Sequence, residues 1–315
     1  IGGGVFAAHA ENEIRELADL MQIPVITTMM GISVFPDDDQ LFCGMIGTHG
    51  VKMANAAVNE CDVLFLVGAR VGDRAVKTPL ALEKTTKIIH IDIDPAEIGK
   101  NIGADLPLVG DAKLVLQQMT ELAKPMKHDE WIAHIKTLGG ERKYVEPAKG
   151  TVNPRVFIDR LAKKMPANVT VVADVGQNQI WTCTEYKFRK EGRLLTSGGM
   201  GTMGYSVPAA IGAKMADDSR ATVAICGDGA FQMSFMELAT AVQFGVDIKV
   251  VVMTNNRLGM VRELQTNGYH DRQTAVFLDG SPDFIKLAEA YGIPAMRVYD
   301  DDTMEKGIEM LAEHK

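Results

Sequence analysis

One short pattern constrains this chain more than any other: a Gly-Asp-Gly turn closing one β-branched run, with an asparagine pair closing the next. Residues 221–226 read as a strand, Gly227-Asp228-Gly229-Ala230 as the turn ending it, 234–243 as a helix and Lys249–Met253 as a second strand, followed by Asn255 and Asn256. In an open parallel sheet, ligands gather beyond the carboxyl ends of the strands, so this unit brings Asp228 and Asn255 to one crevice. A carboxylate and an amide oxygen suit a hard cation such as Mg²⁺, which prefers octahedral oxygen and is usually completed by phosphate oxygens and water. Gly227 and Gly229 allow a diphosphate close to the backbone. A Gly-Asp-Gly alone is more often a surface turn; here 25 residues separate Gly229 from Asn255.

The same alternation runs through the whole chain. Residues 23–28, Val63–Val67 and 87–91 read as buried parallel strands, with helices at 12–21 and 52–59 between them. The pattern weakens over 124–150, where Pro125, Gly139-Gly140 and Pro147 fall in a charged stretch. This places a first domain at 1–125, a linker at 126–150 and a second domain at 151–315. The second opens on Asn153-Pro154, a helix start with proline in the first turn, running to Lys164. Strands follow at 169–173, 221–226 and 249–253, with helices at 206–215, 234–243 and 283–291. The class is α/β, with two doubly wound parallel-sheet domains, in keeping with 315 residues, since single cores stop growing at about 250–300. Ile1-Gly2-Gly3-Gly4 reads as a glycine turn whose preceding strand is missing, and Met304, Ile308 and Leu311 carry a helical pattern to the last residues, so the chain is expected to be truncated at both ends.

Composition narrows the partners. A net charge of -8 without long like-charge blocks offers no footprint for nucleic acid or an anionic membrane. No apolar run reaches the roughly 18 residues of a membrane span, and no signal-peptide pattern opens the chain. Cys43, Cys61, Cys183 and Cys226 form no C-x-x-C pair, so neither a disulfide framework nor a zinc site is expected, and a reducing, cytoplasmic setting fits.

Residues 227–260, GDGAFQMSFMELATAVQFGVDIKVVVMTNNRLGM, resemble the thiamine-diphosphate motif of the acetolactate (acetohydroxyacid) synthase large subunits, and the likeness extends over essentially the whole chain. That family usually places three residues between its asparagine pair and Gly-Met; only Arg257 and Leu258 stand there in this chain. Counted back from Gly259, the second family asparagine falls on Asn255. The resemblance thus implies Mg²⁺ ligands at Asp228, Asn255 and the carbonyl of Arg257, with Asn256 as the alternative for a shifted loop.

Other motifs extend the likeness. Residues 196–212, TSGGMGTMGYSVPAAIG, form a glycine-dense turn before a helix, which by itself is either a flexible loop or an anion-binding one. In the family it runs beside the thiazolium ring, and Met203 matches the apolar residue that props the cofactor into a bent shape, with Gly201 beside it. Val175-Gly176-Gln177-Asn178-Gln179 resembles the diphosphate-contacting GQHQ segment, with Asn178 replacing histidine; an amide still donates a hydrogen bond. Together with Gly227, Asp228, Gly229, Ala230 and Asn255, these are the implied thiamine-diphosphate residues. MIGTHG at 45–50, GARVGDR at 68–74, HIDIDPAEIGKN at 90–101 and the Gly110-Asp111 pair resemble the FAD-binding middle domain. This implies Gly2, Gly3, His49, Gly68, Arg70, Arg74, Asp92 and Asp111 as FAD residues; strand-end charges taken alone are commonly just solvated. Met260 and Leu264 border the substrate cavity by resemblance, though their spacing also fits ordinary helix packing. At Leu264 the family typically carries a tryptophan that favours 2-oxobutyrate over pyruvate.

The resemblance implies a transferase of branched-chain amino-acid biosynthesis, forming isoleucine and valine precursors. It joins pyruvate to pyruvate or 2-oxobutyrate with loss of CO₂, using thiamine diphosphate, Mg²⁺ and a structural FAD. It implies a homodimer or homotetramer with a possible small regulatory subunit. The glutamate that activates the cofactor belongs, in the family, to an N-terminal domain absent from these residues, so the 315-residue chain alone is expected to be inactive. Rival readings are another thiamine-diphosphate decarboxylase, carboligase or oxidase, a non-catalytic cofactor-binding paralogue, and an NAD-binding domain of the transhydrogenase type.

Overall fold

Every pairing between strands named below is parallel, as expected where β-branched runs are separated by helices long enough to cross back over the sheet. The computed structural model describes residues 1–76, 78–140 and 143–313, and the chain divides into two units, Ile1–Arg142 and Lys143–Lys315. Among the described residues no helix is long and apolar enough to cross a membrane.

The first unit comprises α1 (Gly4–Ala7), α2 (Glu11–Met21), β1 (Val25–Thr27), β2 (Phe42–Met45), α3 (Lys52–Glu60), β3 (Val63–Val67), α4 (Pro79–Leu82), β4 (Lys87–Asp92), β5 (Leu106–Val109), α5 (Ala112–Leu122) and α6 (Asp129–Leu138). Its strands form a β1-β2 pair and a β3-β4-β5 sheet. Ile14 and Leu17 of α2, Leu116 of α5, Val67 and Ile91 close one core beside the second sheet. The strand expected over 23–28 is cut to three residues, between Pro24 and a 3₁₀ turn at Met29–Gly31.

The expected linker at 126–150 needs correction. Ten of its residues form α6, whose Ile135 is buried against Cys43 and Ala57 with Trp131 beside it. His134 Nε2 also pairs with Glu60 of α3 at 2.7 Å. A short apolar stripe within a charged sequence is enough to dock a helix, so this segment belongs to the first unit.

The second unit comprises α7 (Pro154–Lys164), β6 (Thr170–Ala173), α8 (Gln177–Glu185), β7 (Arg193–Thr196), α9 (Ser206–Ala216), β8 (Thr222–Gly227), α10 (Asp228–Phe231), α11 (Leu238–Phe244), β9 (Lys249–Met253), α12 (Gly259–Gly268), α13 (Phe284–Ala290) and α14 (Asp301–Glu313). The strand order is β7-β6-β8-β9. The chain leaves β6 toward β7 and then crosses back to β8 on the other side, making the carboxyl ends of β6 and β8 the switch point of the sheet, where a crevice opens. Asn153 caps α7 by accepting from Arg155 N–H at 2.9 Å, with Pro154 in the first turn as expected. The helix expected over 234–243 begins as a 3₁₀ turn, Phe235–Glu237, and becomes α-helical only at Leu238. β7 was not anticipated, because its sequence, Arg-Leu-Leu-Thr, has one β-branched residue at its end.

Candidate cofactor site

Asp228 starts α10 and is 2% exposed. Its Oδ1 accepts from Gly229 N–H at 2.8 Å, and its Oδ2 accepts from the N–H groups of Asn255 at 3.0 Å and Asn256 at 2.5 Å. One carboxylate thus ties the end of β8 to the loop after β9. Asn255 Oδ1 accepts from Arg257 N–H at 3.0 Å, while its Nδ2 lies 3.5 Å from Gln177 Oε1 at the start of α8. The loops after β6, β8 and β9 therefore meet at one rim. Gly259 gives Gln177 room there: a Cβ on it would sit 2.1 Å from Gln177 Oε1 and displace that side chain.

The backbone of the loop after β9 is held from outside by a strap. Leu258 N–H donates to Val276 C=O at 2.8 Å and Leu278 N–H to Asn256 C=O at 2.9 Å, flanking an antiparallel Arg257–Phe277 bridge. The Arg257 guanidinium lies 4.6 Å over the Phe277 ring. Both bonds of the bridge run through neighbouring residues, leaving the Arg257 carbonyl outside them. Asn256 is left-handed, at φ 53°, a conformation asparagine tolerates better than most residues.

An apolar wall faces this rim. A Cβ on Gly229 would meet Leu258 Cδ2 at 2.9 Å, Leu278 Cδ1 at 3.2 Å and Met203 Cε at 3.5 Å. Met203 of the glycine-dense segment thus reaches the Gly-Asp-Gly turn, while Gly201 lies in the exposed part of that segment at φ 66°. Ala230 is buried just behind Gly229. Met260 is half-buried on α12, and Leu264, one turn on, is 60% exposed.

Asn178 needs correction. It is 3% exposed and turned inward: Nδ2 donates to Asp174 C=O at 2.8 Å and to Ile225 C=O at 3.1 Å. Both amide hydrogens are spent stapling β6 to β8, so this side chain has no donor left for a diphosphate. Val175 N–H is likewise committed to Asp174 Oδ1 at 2.8 Å. Gly176, at φ 147°, turns the chain into α8 and brings Gln177 to the rim. Burial, then the nearby Asp174 and Asp228 carboxylates, raise the Cys226 thiol far above its ordinary range, so it stays protonated at the base of the site.

In the first unit the residues expected for FAD lie on the carboxyl edges of its strands, and the loops there are stitched together. Gly2 N–H donates to Val67 C=O at 2.9 Å, Gly68 N–H to Ile91 C=O at 2.9 Å, Gly110 N–H to Asp92 C=O at 3.0 Å and Thr48 N–H to Arg74 C=O at 2.9 Å. Gly2 and Gly68 are in backbone contact, where a Cβ on Gly2 would fall 2.1 Å from Gly68 C=O, and Gly3 packs on Met30. Arg70 and Arg74 are exposed and His49, next to the Thr48 that bonds Arg74, is half-buried. Asp92 accepts from Asp94 N–H at 3.0 Å, and Asp111 caps α5 through Lys113 and Leu114 N–H. Capping alone accounts for an aspartate at position 111.

Sequence reasoning missed Asp174, Leu258, Leu278 and the strap. Asp174 carried a readable signal, a carboxylate directly after a β-branched run. The strap carried none, because residues 270–283 have neither period. Among the described residues no three His, Cys, Asp or Glu side chains gather to hold a metal.

The chain matches two family models in succession: the central domain of thiamine pyrophosphate enzymes over residues 1–119, and their C-terminal TPP-binding domain over 174–315. It is 42% identical over 97% of its length to a probable acetolactate synthase large subunit of Methanocaldococcus jannaschii, covering 53% of that protein. Acetolactate synthase large subunits of Lactococcus lactis and Corynebacterium glutamicum are 36% and 40% identical over 99% and 95% of the chain, which covers 55% and 49% of them. The chain spans about half the length of the curated relatives it matches. With both domain matches in order and the Asp228 rim at the carboxyl ends of β8 and β9, the chain belongs to the thiamine pyrophosphate enzyme family.

Proposed function

We propose that this chain is the central and diphosphate-holding part of an acetolactate synthase large subunit, acting on pyruvate with pyruvate or 2-oxobutyrate as acceptor. The observation that carries the reading is the meeting of Asp228, Asn255 and Gln177 at one rim beside the Gly227 and Gly229 backbone. The donor set fits Mg²⁺: one carboxylate, one amide oxygen and the Arg257 carbonyl, which the bridge does not use, are hard oxygen ligands, too few for a closed site, so diphosphate oxygens and water would complete the shell. When bound, thiamine diphosphate supplies the stabilised carbanion that 2-oxo-acid decarboxylation needs.

The chain's own residues bind and orient. Asp228 and Asn255 hold the metal, the backbone at Gly227 and Gly229 admits phosphate oxygens, and Met203, Leu258 and Leu278 keep water from the reacting side. Met260 and Leu264 border the acceptor. In the first unit the FAD diphosphate would lie at the strand ends near Gly2 and Gly68, with the exposed Arg70 and Arg74 as cations for it. The relatives are named large subunits, which favours a small regulatory partner.

The test is made on the intact protein. Expected are Mg²⁺-dependent binding of thiamine diphosphate, a bound flavin absorbance, and acetolactate with CO₂ from pyruvate, with binding abolished in Asp228→Ala. Acetaldehyde or an acetyl product in place of acetolactate would shift the assignment to a decarboxylase or oxidase of the same family. Unchanged cofactor binding in Asp228→Ala would remove the site.

A further inference from the structure

We propose that Asp174 is a positioning residue: its buried carboxylate holds the backbone on both sides of Tyr205 and thereby sets where Met203 stands over the Gly-Asp-Gly turn. The inference rests on the cofactor reading above. Asp174 follows β6 directly and is fully buried. Its Oδ1 accepts from Val175 N–H at 2.8 Å and Gly204 N–H at 3.0 Å, and its Oδ2 accepts from Ser206 N–H at 2.8 Å. A carboxylate removed from water must find donors, and two of these three come from the far end of the glycine-dense segment, about thirty residues on.

Asp174 is itself immovable. Its N–H donates to Ile225 C=O at 2.8 Å, and its C=O accepts from Asn178 Nδ2, which also holds Ile225 C=O. The anchor is therefore fixed to both central strands of the sheet. Helix α9 has Tyr205 at its N-cap with no side-chain cap of its own. Asp174 supplies the missing acceptor and places its carboxylate at the positive end of an eleven-residue helix.

The segment has little else to hold it. Residues 198–202 are exposed, Met200 by 90%, and are tied locally by Gly201 N–H to Ser197 C=O and Thr202 N–H to Ser197 Oγ. At Gly204 the backbone is left-handed, at φ 83°, and a Cβ would fall 2.9 Å from Met233 Cβ, so glycine is what lets the chain pass there. Met203 precedes Gly204 directly, and its Cε ends 3.5 Å from where a Gly229 Cβ would stand. Any shift of Gly204 off Asp174 is passed to Met203 through one peptide unit.

The experiment is a double-mutant cycle on the intact protein, with the dissociation constant of thiamine diphosphate in saturating Mg²⁺ read by equilibrium dialysis. Asp174→Asn keeps the shape but turns an amide toward a backbone donor; Met203→Ala removes the side chain it is argued to place. Each single variant is expected to weaken binding about tenfold, and the double variant no more than the weaker-binding single, the non-additivity that coupled residues show. Fully additive losses would mean that Asp174 only supports the fold, and would overturn the inference. Binding unchanged in Met203→Ala would instead remove the cofactor reading of this segment, and the inference with it. A second measurement needs no variant: without cofactor, the amide hydrogens of Gly204 and Ser206 should exchange far more slowly than that of Gly199, and equal rates would refute the anchor.

Discussion

The Asp228 carboxylate accepts the backbone N–H of Asn255 at 3.0 Å, so these two residues share a rim before any ligand is considered. The same oxygen takes Asn256 N–H, which makes Asp228 the brace of the loop after β9 as well as its proposed metal ligand. Asp228→Asn should therefore speed amide exchange at Asn255 and Asn256 in metal-free protein, since hydrogen bonds to a charged acceptor contribute about 1.5–3 kcal/mol. Asn255→Ala should leave both amides protected and abolish only Mg²⁺-dependent cofactor binding. Identical exchange profiles for the two variants would separate neither role and defeat this account.

Under the proposed function, Leu264 takes the place at which the family usually carries tryptophan, and the acceptor wall would be open there. The intact protein should discriminate weakly between pyruvate and 2-oxobutyrate as acceptors. Leu264→Trp should raise the 2-oxobutyrate preference by about tenfold, within the roughly 1–3 kcal/mol a methylene contributes in an apolar pocket. Product ratios with both acids present measure it; a strong preference in the unmodified protein would count against the assignment of this wall.

Glu185 is 3% exposed and receives Arg155 Nη1 at 2.5 Å, with Tyr144 O–H donating to its other oxygen at 3.0 Å. Arg155→Met removes one charged donor from this carboxylate and should lower the urea midpoint, since a hydrogen bond to a charged group contributes about 1.5–3 kcal/mol. Equal midpoints for the two proteins would contradict it.

His90 lies on β4 between Leu66 and Pro107 of the flanking strands, buried, with neither ring nitrogen meeting a hydrogen-bond partner in ordinary geometry. Burial holds its pKa below the ordinary imidazole value, and the opposing pulls of Asp92, the Ala69 backbone and Glu97 are weaker. The unfolded chain thus takes up a proton that the folded chain refuses. Stability is complete above the ordinary imidazole pKa and falls as pH drops below it. His90→Leu should flatten this acid-side decline, measured as the difference in urea midpoints between about pH 5 and pH 8. Parallel pH profiles for the two proteins would contradict it.

The parts of this molecule legible in its sequence are those with a local cause. β-branched runs, Pro154 after Asn153, and the glycines around Asp228 declare strands, a helix start and a turn from their own chemistry. Accordingly β3, β4, β8, β9 and α7 stand where expected. β7 and α6 were not legible as such, because Leu-Leu has no strand signature and α6 becomes a helix by docking Ile135 into a core built from other segments.

At the site the same division holds. Spacing alone placed Asp228 and Asn255 on consecutive parallel strands, and parallel strands end on the same edge. Which way each polar group faces was decided by tertiary structure. Asn178 turned inward because two strand-end carbonyls, one of them 47 residues away, came within reach of its amide. Asp174 became an anchor because the backbone of a segment about thirty residues later arrived against it. Hydrogen-bond partners brought together by folding are not encoded in the neighbours of either residue, whereas the edge on which a strand ends is encoded in the strand itself.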